Sequence, residues 1–205
     1  MAPSVNECSM TESTGFTRRH FLTVATAVTG GVGVVATAVP FVASFQPSAR
    51  AQALGAPVEQ DISKIEVGAM LKVEWRGRPI YILHRSKEQL DMLDNHDQEL
   101  RDPTSQDSIQ PSYAMNEYRS IRPAMLIVEG VCTHLGCAPQ YRPEVGEPDL
   151  GAQWPGGFYC PCHGSRFDLS GRVFVDVPAP TNLTIPPYRY INDSTVLIGS
   201  DTGNS

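Results

Sequence analysis

With 205 residues, the chain has room for one domain and an appendage, not two large domains. A formal charge of −6 argues against a nucleic-acid partner. Only 19% of the residues are charged and glycine and proline number 17 each, which points to a loop-rich, mostly β fold rather than a helix bundle.

Residues 1–20 form a polar tail in which Cys8 stands alone, an unpaired spectator. The tail ends in Thr17-Arg-Arg-His-Phe-Leu22. Two adjacent arginines before an apolar run resemble a twin-arginine export signal; the plainer reading is a basic flank that sets topology. No charged residue falls between Phe21 and Ala49. That run exceeds the roughly 20 residues a bilayer requires and the 7–15 of a signal peptide's apolar core. Residues 21–45 therefore read as an uncleaved transmembrane anchor, with Arg18 and Arg19 on the cytoplasmic side and Pro40 near the outer end. Cleavage at Ala49-Arg-Ala51 or Ala51-Gln-Ala53 is the rival. Residues 46–57 are small, alanine-rich and proline-bounded, the composition of a linker.

The head begins near Val58. Residues 58–65 read as a strand. Residues 70–75 and 79–84 flank Arg76-Gly77-Arg78 as a hairpin. Ser86 and Gln89 have the spacing of a capping box that opens a short helix to about Leu93. His84 reads as a strand-end histidine, and His96, within the polar stretch 94–110, as a surface one. An apolar strand over 124–128 leads into the first of two notable segments.

Those segments are Cys132-Thr-His-Leu-Gly-Cys137 and Cys160-Pro-Cys-His-Gly-Ser165, which together hold four of the five cysteines and two of the five histidines. Each offers a thiolate and an imidazole to one metal centre, and each has one cysteine to spare. Two soft thiolates and two imidazoles suit zinc or an iron–sulfur centre. The C-x-H spacing is tighter than an ordinary zinc knuckle. Gly136, Gly164 and Ser165 place N–H and O–H donors beside the ligands, which favours the iron–sulfur option.

Letter for letter, the two segments resemble the signatures of the Rieske iron–sulfur proteins. The resemblance implies one 2Fe–2S cluster. Cys132 and Cys160 would bind one iron, His134 and His163 the other, and Cys137 and Cys162 would form a disulfide across the two loops. It implies a mostly β Rieske fold of stacked antiparallel sheets over 58–205, with a cluster-binding subdomain at about 129–179 and one transmembrane helix before it. Val177-Pro-Ala-Pro180 is similar to the proline loop that covers the cluster in this family. The disulfide implies an oxidising compartment, so the head would lie on the periplasmic side of a bacterial inner membrane. Residues 46–57 would be the flexible hinge.

Anchor, hinge and proline loop together resemble the iron–sulfur subunits of bacterial cytochrome bc complexes. The implied role is a redox subunit, inactive alone, that takes one electron and a proton from quinol and passes the electron to a c-type cytochrome. Its partners would be the cytochrome b and c-type subunits of a dimeric complex. By the match, His163 accepts the quinol hydrogen bond and then the proton. His134 is the other exposed edge, and Leu135 presents an apolar face for docking. Ser165 and Gly136 would tune the site. Phe167 departs from the family, many members of which have tyrosine there; losing that hydroxyl implies a lower potential.

The alternative is the Rieske small subunit of a periplasmic arsenite-oxidase-type enzyme, which shares the motif and an export signal. Soluble Rieske ferredoxins usually lack the two extra cysteines. Between the motifs, Glu144, Glu147 and Asp149 offer a weak acidic patch for a cationic cytochrome, while Trp154 and Phe158 read as packing for the subdomain. Residues 167–172 read as a tight turn, and 183–185, 188–191 and 196–198 as closing strands.

Overall fold

The computed structural model describes residues 17–202, so Cys8 and the tail before Thr17 lie outside the described residues. The chain divides into two units, 1–49 and 50–205.

The first unit contains α1 (Arg18–Ala43), which starts three residues before the expected Phe21. Thr17 caps it, accepting from the His20 N–H. At 1.5 Å per residue its 26 residues extend about 39 Å, longer than the roughly 30 Å of a bilayer's hydrocarbon core. Among the described residues it is the one helix long and apolar enough to cross a membrane. Its threonines point their hydroxyls inward. Thr23, Thr26, Thr29 and Thr37 donate to the carbonyls of Arg19, Leu22, Ala25 and Gly33 at 2.7–2.8 Å.

Where the composition suggested only a linker, Ala49–Gly55 forms a second helix, α2. Seven residues fall short of the roughly 12–15 an isolated helix needs in water.

The head is built from three antiparallel, three-stranded sheets. In the first, β1 (Val58–Asp61), β9 (Thr195–Ile198) and β8 (Tyr188–Asn192) lie in that order. The second is β2 (Met70–Trp75), β3 (Arg78–His84) and β4 (Met125–Glu129); the third is β5 (Gln140–Arg142), β6 (Gly157–Tyr159) and β7 (Arg166–Phe167). Strands β2 and β3 meet in a two-residue turn with Trp75 opposite Arg78. Arg76 and Gly77 both take left-handed backbone, φ 54° and 72°, the geometry that matches the twist of a tight hairpin. Ile80, Ile82 and Leu83 on β3 and Leu126, Ile127 and Val128 on β4 are fully buried, which explains why these strands read as continuous apolar runs rather than alternating ones. The capping box forms as read: Ser86 and Gln89 bond reciprocally and open α3 (Lys87–Asp91).

Three further readings change. Strand β1 stops at Asp61, whose carboxylate accepts the Ser63 N–H at 2.8 Å and turns the chain. Residues 183–185 join no sheet. The Thr184 carbonyl accepts from Glu129, whereas the Ile185 N–H donates to Ile109, and Pro186 and Pro187 then remove the next two donors. His96 is buried, not superficial: it stacks on Phe174 with ring centroids 5.6 Å apart, and its Nε2 lies 3.5 Å from an Asp168 oxygen.

Asp168 is the polar centre of this core. Its Oδ1 accepts the Ser170 and Arg172 N–H groups, and its Oδ2 accepts the Arg172 Nε at 2.6 Å. Arg172 continues to the Leu93 and Pro103 carbonyls and to Asp97. Arg119 donates to the Ser170 and Gly171 carbonyls, and Arg85 to the Leu169 carbonyl and the Ser170 hydroxyl. Burial alone would raise the Asp168 pKa. The Arg172 charge, the nearby His96 ring and the hydrogen bonds from Arg172 outweigh that and hold it below the ordinary carboxylate range.

A depressed carboxylate stabilises the fold above its unfolded pKa, and that contribution fades as pH falls through the folded value. Asp168→Asn should therefore destabilise the head by about 3–5 kcal/mol at neutral pH, since it leaves the buried Arg172 with only the half-exposed Asp97 as counter-charge. Urea midpoints measured down a pH series should show the gap between variant and parent closing only below the ordinary aspartate range.

Candidate metal centre

The two loops share one backbone turn. The Cys132 N–H donates to the Cys137 carbonyl and the Gly136 N–H returns to the Cys132 carbonyl, at 2.8 and 2.9 Å. The Cys160 N–H donates to the Ser165 carbonyl and the Gly164 N–H to the Cys160 carbonyl, at the same two distances. Gly136 and Gly164 close these turns in left-handed backbone, φ 83° and 77°, where a side chain would be strained. The side chains are staggered along the shared frame. Cys162 stands where the first turn has His134, His163 where it has Leu135, and Ser165 where it has Cys137. That offset is why one motif reads C-x-H and the other C-x-C-H.

Cys137 and Cys162 are joined in a disulfide, Sγ–Sγ 2.08 Å and Cα–Cα 6.6 Å. Cys132 and Cys160 remain thiols, both buried. The sulfurs of Cys137, Cys160 and Cys162 lie within 4.8 Å of one another, but the two in the disulfide have no thiolate to give a metal. Burial pushes the Cys160 thiol up. The N–H groups of Cys162 and His163 point at its sulfur and favour the charged form, and the Cys132 side chain is within hydrogen-bonding reach. The His134 and His163 rings meet edge to face with centroids 4.8 Å apart. His134 is half-buried and His163 exposed, and Leu135 beside them is 70% exposed.

This donor set fits a two-iron cluster with unequal ends. Two inner thiols suit one iron, and two outer imidazoles, close enough to share a metal, suit the other.

A third segment closes over the loops. The buried Ser165 hydroxyl oxygen accepts the Ala179 N–H at 3.1 Å, leaving its hydrogen to be donated elsewhere. The Thr133 hydroxyl donates to the Thr181 carbonyl at 2.7 Å. The proline-rich stretch 177–180 is thereby tied to both loops. Phe167 is fully buried opposite Phe158 on β6, and its carbonyl would sit 2.0 Å from any Cβ at Gly157. Trp154 and Phe158 pack inside the subdomain, the Trp154 indole donating to the Arg142 carbonyl. The acidic patch does not stand free: Arg142 pairs with the Glu147 carboxylate and, at 2.7 Å, with Asp149.

Residues 58–188 match the Rieske [2Fe-2S] domain, so the head is a Rieske iron–sulfur domain. Residues 8–48 match the family described as the ubiquitinol-cytochrome C reductase Fe-S subunit TAT signal. The ubiquinol-cytochrome c reductase iron-sulfur subunit of Allochromatium vinosum is 59% identical over 92% of this chain and 91% of its own length. That of Bradyrhizobium diazoefficiens is 42% identical over 89% and 94%. One solved structure, titled "Hyperthermophilic respiratory Complex III", aligns with 85% of this chain and 98% of its own at 24% identity and a TM-score of 0.46. The chain belongs to the ubiquinol-cytochrome c reductase iron-sulfur subunit family, which favours that reading over the arsenite-oxidase type.

The Cys137–Cys162 link closes a stretch with a sequence separation of 25. On the chain-entropy account a loop of that size contributes about 3.5 kcal/mol. Replacing both cysteines by serine should lower the stability of the head by roughly that amount, read from urea midpoints with and without reductant. The parent under reductant should fall to the level of the double variant.

Proposed function

We propose that the chain is the electron-transfer subunit of a quinol–cytochrome c reductase, a redox subunit that does not turn over alone. The observation that carries this reading is the meeting of two imidazoles, one of them exposed, outside two buried thiols. Cys132 and Cys160 would hold the inner iron, and His134 and His163 the outer. When bound, the cluster supplies a one-electron acceptor whose potential is raised because neutral imidazoles replace two thiolates.

The rest falls to the chain's own side chains. His163, exposed at the tip, would accept the quinol hydroxyl hydrogen bond at the ring nitrogen that faces away from iron, and then hold the proton. His134, half-buried, is the second edge and faces the route to a c-type cytochrome. Leu135 lays apolar surface beside the quinol side and keeps water from it. Gly136 closes its turn without bulk, so a partner can approach the backbone there. Ser165 offers the hydroxyl hydrogen that its bond from Ala179 leaves unused.

α1 would anchor the chain, with Arg18 and Arg19 on the cytoplasmic side and the head in the periplasm. Residues 46–57, including α2, would be the hinge: a helix that short can melt and re-form as the head moves between a cytochrome b site and a c-type cytochrome. The assembled complex would be a dimer.

The first test is a reduced-minus-oxidised spectrum of the full-length chain purified in mild detergent with its partners. Haem b and haem c in fixed proportion are expected; the cluster signal without either haem would overturn the assignment to this complex. In that preparation His163→Ala should lose both the cluster absorption and quinol oxidation. Leu135→Ala should keep the cluster and slow quinol oxidation.

Phe167→Tyr should raise the midpoint potential. A regained hydrogen bond of about 1 kcal/mol corresponds to roughly 40 mV for one electron. A redox titration of the folded variant checks this, and an unchanged potential would remove Phe167 from the account.

A further inference from the structure

Within the head no strand of the β5–β6–β7 sheet is hydrogen-bonded to a strand of either other sheet, so no shared sheet fixes the cluster loops to the main core and side chains take a large part in holding them. Tyr81 is one of these. It lies in the middle of β3, opposite Val128 on β4, and is buried. Its hydroxyl donates to the Pro139 carbonyl at 2.9 Å, two residues beyond Cys137. Its ring lies against Gly130, two residues before Cys132. A Cβ at Gly130 would come within 2.3 Å of the ring, so only glycine lets the chain pass. The Gly130 N–H is itself fixed to the Pro79 carbonyl at 2.8 Å. On another side the ring stacks on Phe158 with centroids 6.0 Å apart, and Phe158 lies two residues before Cys160.

One side chain therefore touches the entry and the exit of the first loop and the strand that enters the second. We propose that Tyr81 is a positioning residue for the cluster: its hydroxyl on Pro139 and its ring between Gly130 and Phe158 set the spacing of the two ligand loops. The role rests on reading those loops as the cluster site. The hydroxyl bond fixes the end of a short chain of contacts. Pro139 follows Cys137 by two residues, and the Cys137 carbonyl accepts the N–H of Cys132. Without the hydroxyl, the Pro139 carbonyl is left buried and unpaired, and the first loop must shift or take up water to relieve it.

Tyr113 supplies the control. Its hydroxyl bonds both the carbonyl and the N–H of Tyr188 on β8, in a sheet that contains neither loop. Tyr81→Phe and Tyr113→Phe would be made in the full-length chain and assembled with its partners. Three readouts apply: the electron paramagnetic resonance spectrum of the reduced cluster, its midpoint potential, and the rate of iron release to a chelator well below the unfolding temperature. Tyr81→Phe should shift the spectrum and the potential and release iron about fivefold faster, the factor one ordinary hydrogen bond represents. Tyr113→Phe should lower the unfolding temperature and leave all three readouts at the parent's values. A Tyr81→Phe chain with the parent's spectrum, potential and release rate overturns the proposal, as does an equal effect of Tyr113→Phe. A parent chain with no 2Fe–2S signal overturns the cluster reading first, and the role of Tyr81 with it.

Discussion

Asp168 has no contact with water, and both of its oxygens are engaged by the turn that follows β7. A carboxylate in that position is tolerable only with its counter-charge in place, so the turn and Arg172 form as a unit. Arg172 then reaches the stretch after α3 and the 102–110 loop, while Arg85 and Arg119 arrive from just past β3 and from the segment before β4 to bond the same turn. Five separate parts of the chain converge on a few atoms. The second ligand loop ends at Ser165, three residues before Asp168, and so rests on the most constrained ground in the head.

The first loop has no comparable foundation. It hangs between Gly130 and Pro139, with the Cys137–Cys162 disulfide on one side and Thr133 on the 177–181 segment on the other. The two loops carry the same turn but are held differently, one by a polar network under it and the other by lateral ties. A site assembled from two such halves keeps its geometry only while the lateral ties hold. Among these are one covalent bond, one threonine hydroxyl and one tyrosine.

Much of this was legible in the residues. The candidate metal donors stand out because spacing within a short turn is local, and a local turn is written in adjacent letters. The hairpin at Arg76-Gly77 and the capping box at Ser86 were readable for the same reason. What could not be read are pairings that only the folded chain makes. His96 sits in a polar stretch and gives no sign that Asp168 and Phe174 will bury it. Glu147 and Asp149 look like a free acidic patch until β5 brings Arg142 beside them. Residues 183–185 have strand-forming side chains, but their backbone groups bond to two different segments, a fact that exists only in three dimensions. Tyr81 reads as one more apolar strand residue. The one available signal was Gly130, an isolated glycine just after a strand, which marks a close approach without naming what approaches.

The threonines of α1 have a consequence for whatever surrounds that helix. Thr23, Thr26, Thr29 and Thr37 all direct their hydroxyl hydrogens to carbonyls of their own helix. A neighbouring helix in a medium without water would find no hydroxyl hydrogen on offer along that stretch, only relief: the hollows at Gly30 and Gly33 and the bulges of valine and phenylalanine around them. Any preference for one neighbour over another must then come from contour alone. Recognition by contour follows the rule for helices in lipid, where close van der Waals packing at small residues stands in for a hydrophobic drive.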